Sequence, residues 1–180
     1  MPNWCDTTYC CTGKRENLES LQSILDELSS VEGSRIPLYL VVDKLGGDSD
    51  SIECRGVIES YRLDDKGLWL YQSTAWSEQS DFREFLEKTY SGMVIYYSEI
   101  EPMEDIFYTN DSSGNYISTR YIVDLDELGW EYFDTIDEAA DYISMSLGMS
   151  PWDVPRDPDE LVVWLEEANE YFSLHKIEVV

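Results

Sequence analysis

Hydrophobic and polar positions follow two different periods in the first hundred residues of the chain. Apolar residues recur at helical spacing over residues 16–30 and residues 80–90, which predicts two amphipathic helices. Shorter runs that are rich in β-branched and aromatic residues predict strands. The sequence DDKG at residues 64–67 is typical of a hairpin turn between two of these runs. The predicted strands span residues 7–12, 37–43, 52–63, 68–75 and 93–100.

The pattern after residue 100 predicts a second hairpin, two further helices and a last strand. Residues 105–109 and 116–124 flank the turn-forming sequence NDSSGN. Thr135 and Glu138 form a capping-box pattern that opens one helix. Asp157 followed by proline is typical of the start of the next helix. The two helices and the strand are predicted at residues 135–148, 157–172 and 174–180.

The order of these elements predicts an α+β protein. With residues 37–43 set aside as an insertion, the strands and helices follow the split βαβ order of a ferredoxin-like antiparallel sheet with its helices on one face. The second hairpin adds to that sheet. We therefore predict a ferredoxin-like domain at residues 1–125 and an acidic helical extension at residues 126–180, which ends in a strand and packs on the first domain.

Two blocks of sequence resemble a known family. The first is MPNWC at residues 1–5, followed by TG at residues 12–13 before a leucine-rich helix. The second is TAWS at residues 74–77, an amphipathic helix, and YYSEIEPMEDIFY at residues 96–108. In this order the blocks resemble the Api-ninety-two-like proteins of phages and mobile elements. The resemblance covers roughly residues 1–125 and implies an N-terminal ferredoxin-like domain in a phage-like setting, but it implies no catalytic residues, because the family has no established biochemical activity.

The charge of the chain narrows the kinds of partner it can bind. The sequence has 38 acidic and 12 basic residues, a formal net charge of −26, and residues 89–180 alone account for −18. Such a charge repels phosphate groups, which disfavours direct binding of nucleic acid and of anionic membranes. No apolar run approaches the length of a membrane span, and no basic segment precedes an apolar run at the N-terminus. We expect a cytoplasmic protein with reduced thiols.

The residues that most often carry chemistry are sparse. The cysteines Cys5, Cys10, Cys11 and Cys54 lack the paired spacing of a zinc site, and the adjacent Cys10 and Cys11 must point to opposite faces of a strand. His175 is the single histidine, and no nucleophile near it in sequence suggests a catalytic pair. The acidic run at residues 48–53 lacks the spacing of an EF-hand. The sequence therefore predicts no cofactor and no dedicated metal site.

Carboxylates and aromatic residues supply the main functional hypothesis. Acidic side chains one helical turn apart approach the spacing of successive phosphates, so a helical array of them is a candidate face for a protein partner with a basic surface. We predict a non-enzymatic protein-binding module, and consider a nucleic-acid mimic that acts on a host protein. The candidate acidic face comprises Asp137, Glu138, Asp141, Glu166, Glu167 and Glu170, and the candidate aromatic contacts are Trp76, Tyr96 and Tyr97.

Two alternatives remain open at the level of sequence. The first is an enzyme or metal-binding protein that uses a carboxylate cluster near Trp76 and residues 96–101. The second is a homodimer that pairs through a sheet edge. A ferredoxin-like RNA-binding sheet is disfavoured, because no lysine or arginine occurs between Lys88 and Arg120 to contact phosphates.

Overall fold

A computed structural model describes residues 3–125, 128–169 and 171–180, with no description of the Glu32 side chain. These residues form two compact units. The first unit extends to Ile117 and includes Val180, whose amide donates a hydrogen bond to the carbonyl oxygen of Thr109 at 2.9 Å. The second unit is Ser118–Val179. Among the described residues, no helix has the length and apolar character required to cross a membrane.

The first unit is an α+β fold built on an antiparallel sheet, as the sequence predicts at this level. Its strands lie in the order β6-β5-β1-β4-β3-β2. A 3₁₀ turn at Pro102–Glu104 separates β5 from β6. The elements in chain order are β1 (Trp4–Thr12), α1 (Arg15–Glu32), β2 (Ile36–Pro37), α2 (Leu38–Lys44), β3 (Gly56–Leu63), β4 (Leu68–Ala75), α3 (Ser80–Thr89), β5 (Val94–Glu101) and β6 (Ile106–Thr109).

Apolar residues from α1, α2 and α3 pack in one core cluster against one face of this sheet. Tyr9 and Cys11 of β1 belong to that core, whereas Cys10 lies on the other face with Trp69 and Ile117. The alternation follows from the two-residue period of a strand and confirms the opposite orientation predicted for the adjacent cysteines. The hairpin of β3 and β4 and the helices at α1 and α3 are likewise confirmed.

The strand predicted at residues 37–43 is wrong, because this segment forms α2. Leu38, Val41 and Val42 are fully buried, and their spacing places all three on one side of a helix. Their apolar contacts with the core outweigh the strand preference of the two valines, which is a weak and context-dependent preference. Only Ile36 and Pro37 pair as a strand, with β3.

The second predicted hairpin is also wrong. β6 pairs with β5, whereas the strand that follows residues 110–117 belongs to a different sheet. Residues 110–117 form a loop around the buried carboxylate of Asp111, which accepts hydrogen bonds from the amides of Ser113, Tyr116 and Ile117 at 3.0, 2.8 and 2.9 Å. This arrangement places Ile117 and Tyr116 in the apolar cluster on the sheet face opposite the core formed with α1, α2 and α3.

The second unit combines a three-stranded antiparallel sheet, in the order β8-β7-β9, with two helices. The capping box of Thr135 and Glu138 and the Asp157 cap are confirmed. The second helix ends at Ala168 rather than near residue 172, where a strand begins. The elements are β7 (Tyr121–Leu125), β8 (Trp130–Phe133), α4 (Ile136–Ser146), α5 (Pro158–Ala168), β9 (Phe172–Lys176) and β10 (Glu178–Val179).

The boundary between the units differs from the boundary predicted after residue 125. Because β7 pairs with β8 and β9, Tyr121–Leu125 belongs to the second unit. The strand β8, which the sequence pattern does not predict, supplies one of these pairings.

Candidate binding groove in the first unit

The segment that follows β4 holds Trp76 in an unusual backbone conformation. Its φ angle is +67°, in the left-handed region that bulky residues rarely adopt. The Trp76 amide donates a hydrogen bond to the carbonyl oxygen of Asn3 at 2.8 Å, and the side chain is 44% exposed. The guanidinium of Arg55 lies 4.5 Å from the centre of the indole ring. Conformations of this kind cost about 1–3 kcal/mol and cluster at functional sites.

The buried side chain of Gln79 fixes this segment from beneath. Its amide oxygen accepts a hydrogen bond from the backbone amide of Arg55 at 2.8 Å. Its amide nitrogen donates to the carbonyl oxygens of Ala75 and Ser77 at 3.2 and 3.1 Å. One side chain thereby ties the backbone of the strand end that precedes Trp76 to the backbone of Arg55.

A groove of about 750 Å³ adjoins this pair, and Arg55 and Ala75 belong to its wall. Trp4 and Tyr39 also line the groove and are 54% and 48% exposed. Large aromatic surfaces left in contact with water are typical of binding sites, where they supply much of the contact energy. We call this feature the aromatic groove.

The charge of the aromatic groove is negative. Asp50, Glu53 and Asp81 are exposed lining residues, and Arg55 is the cationic residue among the described lining residues. The Arg55 guanidinium already lies over Trp76. The groove is therefore suited to a cationic ligand, and it is unfavourable for phosphate or carboxylate groups.

A cluster of buried polar residues lies on the other side of residues 75–79. The Tyr9 hydroxyl donates its hydrogen bond to the Glu78 carboxylate, and the carbonyl oxygen of Gln79 lies 3.2 Å from the same hydroxyl oxygen. Arg83 donates to the same Glu78 oxygen at 3.0 Å, and its guanidinium lies 5.3 Å from the centre of the Tyr97 ring. The Glu78 amide donates to Glu99 at 2.7 Å. We call Tyr9, Glu78, Arg83, Tyr97 and Glu99 the buried acid cluster.

Burial is the largest influence on the acid–base behaviour of this cluster. Burial raises the pKa of Glu78 by more than its contacts with Tyr9 and Arg83 lower it. Burial likewise raises the pKa of Glu99 by more than the hydrogen bond from the Glu78 amide lowers it. Burial and the Glu78 charge raise the pKa of Tyr9 well above its ordinary value. Both carboxylates are buried, and neither lines the aromatic groove.

The three predicted aromatic contacts do not form one surface. Trp76 is not among the residues that line the aromatic groove, but it follows the lining residue Ala75 and its ring contacts Arg55. Tyr97 is 8% exposed and packs against Tyr9, so its ring offers little surface to a partner. Tyr96 lies on the opposite sheet face, where it stacks on Tyr116 with ring centres 4.3 Å apart. The separation follows from the alternation of side chains along β5.

The predicted acidic face is partly neutralised within the second unit. Arg156 pairs with Asp137 at 3.4 Å and with Asp141 at 2.5 Å. The Glu138 carboxylate accepts hydrogen bonds from the Thr135 amide and hydroxyl in the capping box. Glu166 and Glu167 are exposed on α5, and Glu170 lies outside the described residues.

Trp4, Tyr39 and Arg55 are groove residues that sequence reasoning misses. Tyr39 stands in α2, which the sequence pattern misassigns, and the position of Arg55 depends on Gln79. The TAWS segment was a usable signal for Trp76 alone.

The cysteines behave as small buried side chains. All four are free and buried, and burial raises the pKa of Cys5 to about 11 and that of Cys10 to about 12. Such thiols are poor nucleophiles and poor metal ligands at neutral pH. Within the described ranges, no three histidine, cysteine or acidic side chains are grouped as metal ligands.

Comparisons of this chain with protein-family models, with curated proteins and with solved structures find no match.

Proposed function

We propose that this protein is a non-enzymatic, acidic binding module whose partner is a protein with a basic surface. The observation that carries the proposal is the aromatic groove, where half-exposed Trp4 and Tyr39 stand beside three exposed carboxylates. Aromatic side chains supply contact area, and the carboxylates select a cationic partner. This site replaces the face centred on α4 as the main contact.

The pairing of the basic side chains supports the same proposal. Most of them already form ion pairs with carboxylates of the chain itself. The remaining acidic charge has no basic counterpart in the sequence, since acidic residues outnumber basic ones by 26. This excess steers the protein toward basic surfaces at low ionic strength. The ion-paired bases are Lys14, Arg15, Arg35, Lys44, Arg62, Arg83, Arg156 and Lys176.

The proposal includes a ferredoxin-like architecture for the first unit. The strand order β5-β1-β4-β3, with α1 after β1 and α3 after β4, supports it. In this interpretation β2 and α2 are an insertion, and β6 extends the sheet. A relationship to the Api-ninety-two-like proteins of phages and mobile elements belongs to the same proposal and rests on the sequence resemblance. A cytoplasmic location is also part of the proposal and rests on the sequence pattern.

A nucleic-acid mimic is the second candidate. The helix α5 carries four acidic residues and no basic residue, and its Glu166 and Glu167 side chains are exposed. A mimic of this kind displaces DNA or RNA from a host protein. Charge reversal at Glu166 and Glu167 would abolish such competition and leave binding at the aromatic groove intact.

The binding proposal is tested with cytochrome c as the basic probe and with its lysine-acetylated form as the matched neutral probe. We expect the full chain to bind the native probe only, with affinity that falls at least about ten-fold between about 50 mM and about 500 mM salt. At low salt, the double variant Trp4→Ala/Tyr39→Ala should bind the native probe more weakly than the unsubstituted chain does. The control Tyr171→Ala removes an exposed tyrosine of the second unit and should bind as the unsubstituted chain does. Equal binding of the two probes, or binding that is independent of salt, would contradict the proposal.

A further inference from the structure

The aromatic groove has a more specific ligand than a basic surface in general. We infer that it receives the side chain of an arginine from the partner, and this inference rests on the binding function proposed above. The occupant is identified by charge complementarity and by the shape of the groove walls.

The negative charge of the groove selects a cation. Asp50, Glu53 and Asp81 are exposed on its wall, and the carboxylate of Asp81 accepts only a long hydrogen bond, at 3.3 Å, from the amide of Glu53. The carboxylates therefore retain acceptor capacity for the donors of an incoming cation. Anionic ligands, among them nucleotides and acidic peptides, would be repelled.

The aromatic walls favour a planar cation over a compact one. A guanidinium stacks on ring faces and forms paired hydrogen bonds with carboxylates, and it is more weakly hydrated than an ammonium group. Trp4 and Tyr39 expose about half of their surface to the groove and solvent. A residue of the wall already makes one such contact, because the Arg55 guanidinium lies 4.5 Å from the centre of the Trp76 ring. An arginine side chain therefore suits both the charge and the walls better than lysine does.

Hydrogen bonds with Gln79 hold part of the groove backbone in place. Gln79 holds the backbone of Arg55 and the carbonyl oxygens of Ala75 and Ser77. The backbone of Arg55 and Ala75, which belong to the wall, is thus held in place without a ligand, which lowers the entropic cost of binding there.

The test uses three peptides of the repeat Gly-Ser-Xaa, in which Xaa is arginine, lysine or citrulline. Citrulline keeps the planar shape of arginine and removes its charge. Binding to the full chain is measured by titration calorimetry, and perturbation of the Trp4 indole signal in NMR spectra locates the site. We expect the arginine peptide to bind at least about five-fold more tightly than the lysine peptide. The citrulline peptide should not bind.

Substitutions inside and outside the groove distinguish binding at this site from general electrostatic attraction between the peptide and the acidic protein. Asp50→Asn/Glu53→Gln should weaken binding of the arginine peptide about ten-fold, and Trp4→Ala about five-fold. The matched control Asp65→Asn/Glu84→Gln removes the same two charges at exposed positions outside the groove and should change affinity less than about two-fold. Tyr39→Ala serves as a second aromatic variant, and circular dichroism confirms that each variant is folded.

The outcomes distinguish this inference from the proposed function. Equal affinity for the arginine and lysine peptides, or equal losses in the groove and control variants, would overturn the arginine site and leave general binding of basic proteins in place. Absence of binding to the peptides and to cytochrome c would overturn both.

Discussion

Two buried carboxylates of the first unit show how strongly the surroundings of a residue determine its behaviour. Burial alone would raise the pKa of Asp111, but hydrogen bonds from Ser113 and from the amides of Tyr116 and Ile117 outweigh it and lower this pKa. Burial of Glu99 is opposed mainly by the Glu78 amide and the charge of Arg83, and its pKa is raised. The ionised form of Asp111 therefore stabilises the folded state, whereas the ionised form of Glu99 destabilises it.

The raised pKa of Glu99 predicts a pH-dependent effect of Glu99→Gln. The folded state holds the Glu99 proton more tightly than the unfolded state does, so this residue's contribution to stability is greatest below its unfolded pKa and falls as the pH rises through its folded pKa. Glutamine removes the charge and keeps an oxygen that accepts from the Glu78 amide. We expect the variant to be more stable than the wild type at about pH 7, with the difference vanishing toward about pH 4.

Urea denaturation across this pH range measures the difference. The control is Glu84→Gln, which changes an exposed carboxylate on α3 and should show no such trend. A difference that stays constant with pH would show that Glu99 is not protonated more readily in the folded state.

Sequence points to individual site residues only where the signal is local. Trp76 stands in a sequence block of its own, but nothing near Arg55 or Trp4 in sequence shows that both line one groove. The burial of Tyr97 is not visible in the sequence, because an aromatic residue in a strand has the same sequence signal on either face of a sheet. The face is decided by packing, here against Tyr9.

At the scale of elements, residues close in sequence predict the helix caps and the β3–β4 turn. The conformation of other segments depends on burial against distant residues. The capping box of α4, the Asp157 cap of α5 and the turn between β3 and β4 each depend on residues within four positions of one another. The segment α2 and the Asp111 loop depend on contacts with distant residues. A short apolar run such as PLYLVVD at residues 37–43 is compatible with either a strand or a helix until its neighbours in the core are known.

The assignment of α2 as a helix predicts which of its residues stabilise the fold. In a strand, Leu40 would share a face with Leu38 and Val42, and Val41 would point away. In the helix, Val41 is fully buried and Leu40 is only partly buried. We therefore expect Val41→Ala to lower the free energy of unfolding by about 2 kcal/mol and Leu40→Ala by less than about 1 kcal/mol. Urea denaturation compares the pair, and a larger loss for Leu40→Ala would favour the strand.

The net charge is the dominant property of the whole molecule. Repulsion among the carboxylates that lack a basic partner opposes folding, whereas most of the ion pairs are exposed and individually weak. Screening should therefore remove more repulsion than attraction.

We expect added salt to raise the melting temperature. Between about 20 mM and about 300 mM sodium chloride, the rise should be a few degrees, since about 1 kcal/mol corresponds to about 2–4 °C in a chain of this size. Choline chloride is the control, because a bulky cation screens charge without binding to carboxylate sites. A fall in melting temperature with both salts would show that the ion pairs outweigh the repulsion.

The backbone conformation of Trp76 opposes folding stability to the exposure of an aromatic side chain. Glycine adopts a positive φ angle without steric penalty, so folding alone would favour glycine at this position. The chain instead carries its bulkiest residue type there, and it forgoes folding free energy in order to display an indole ring. Selection for thermal robustness and selection for recognition would therefore pull this one position in opposite directions.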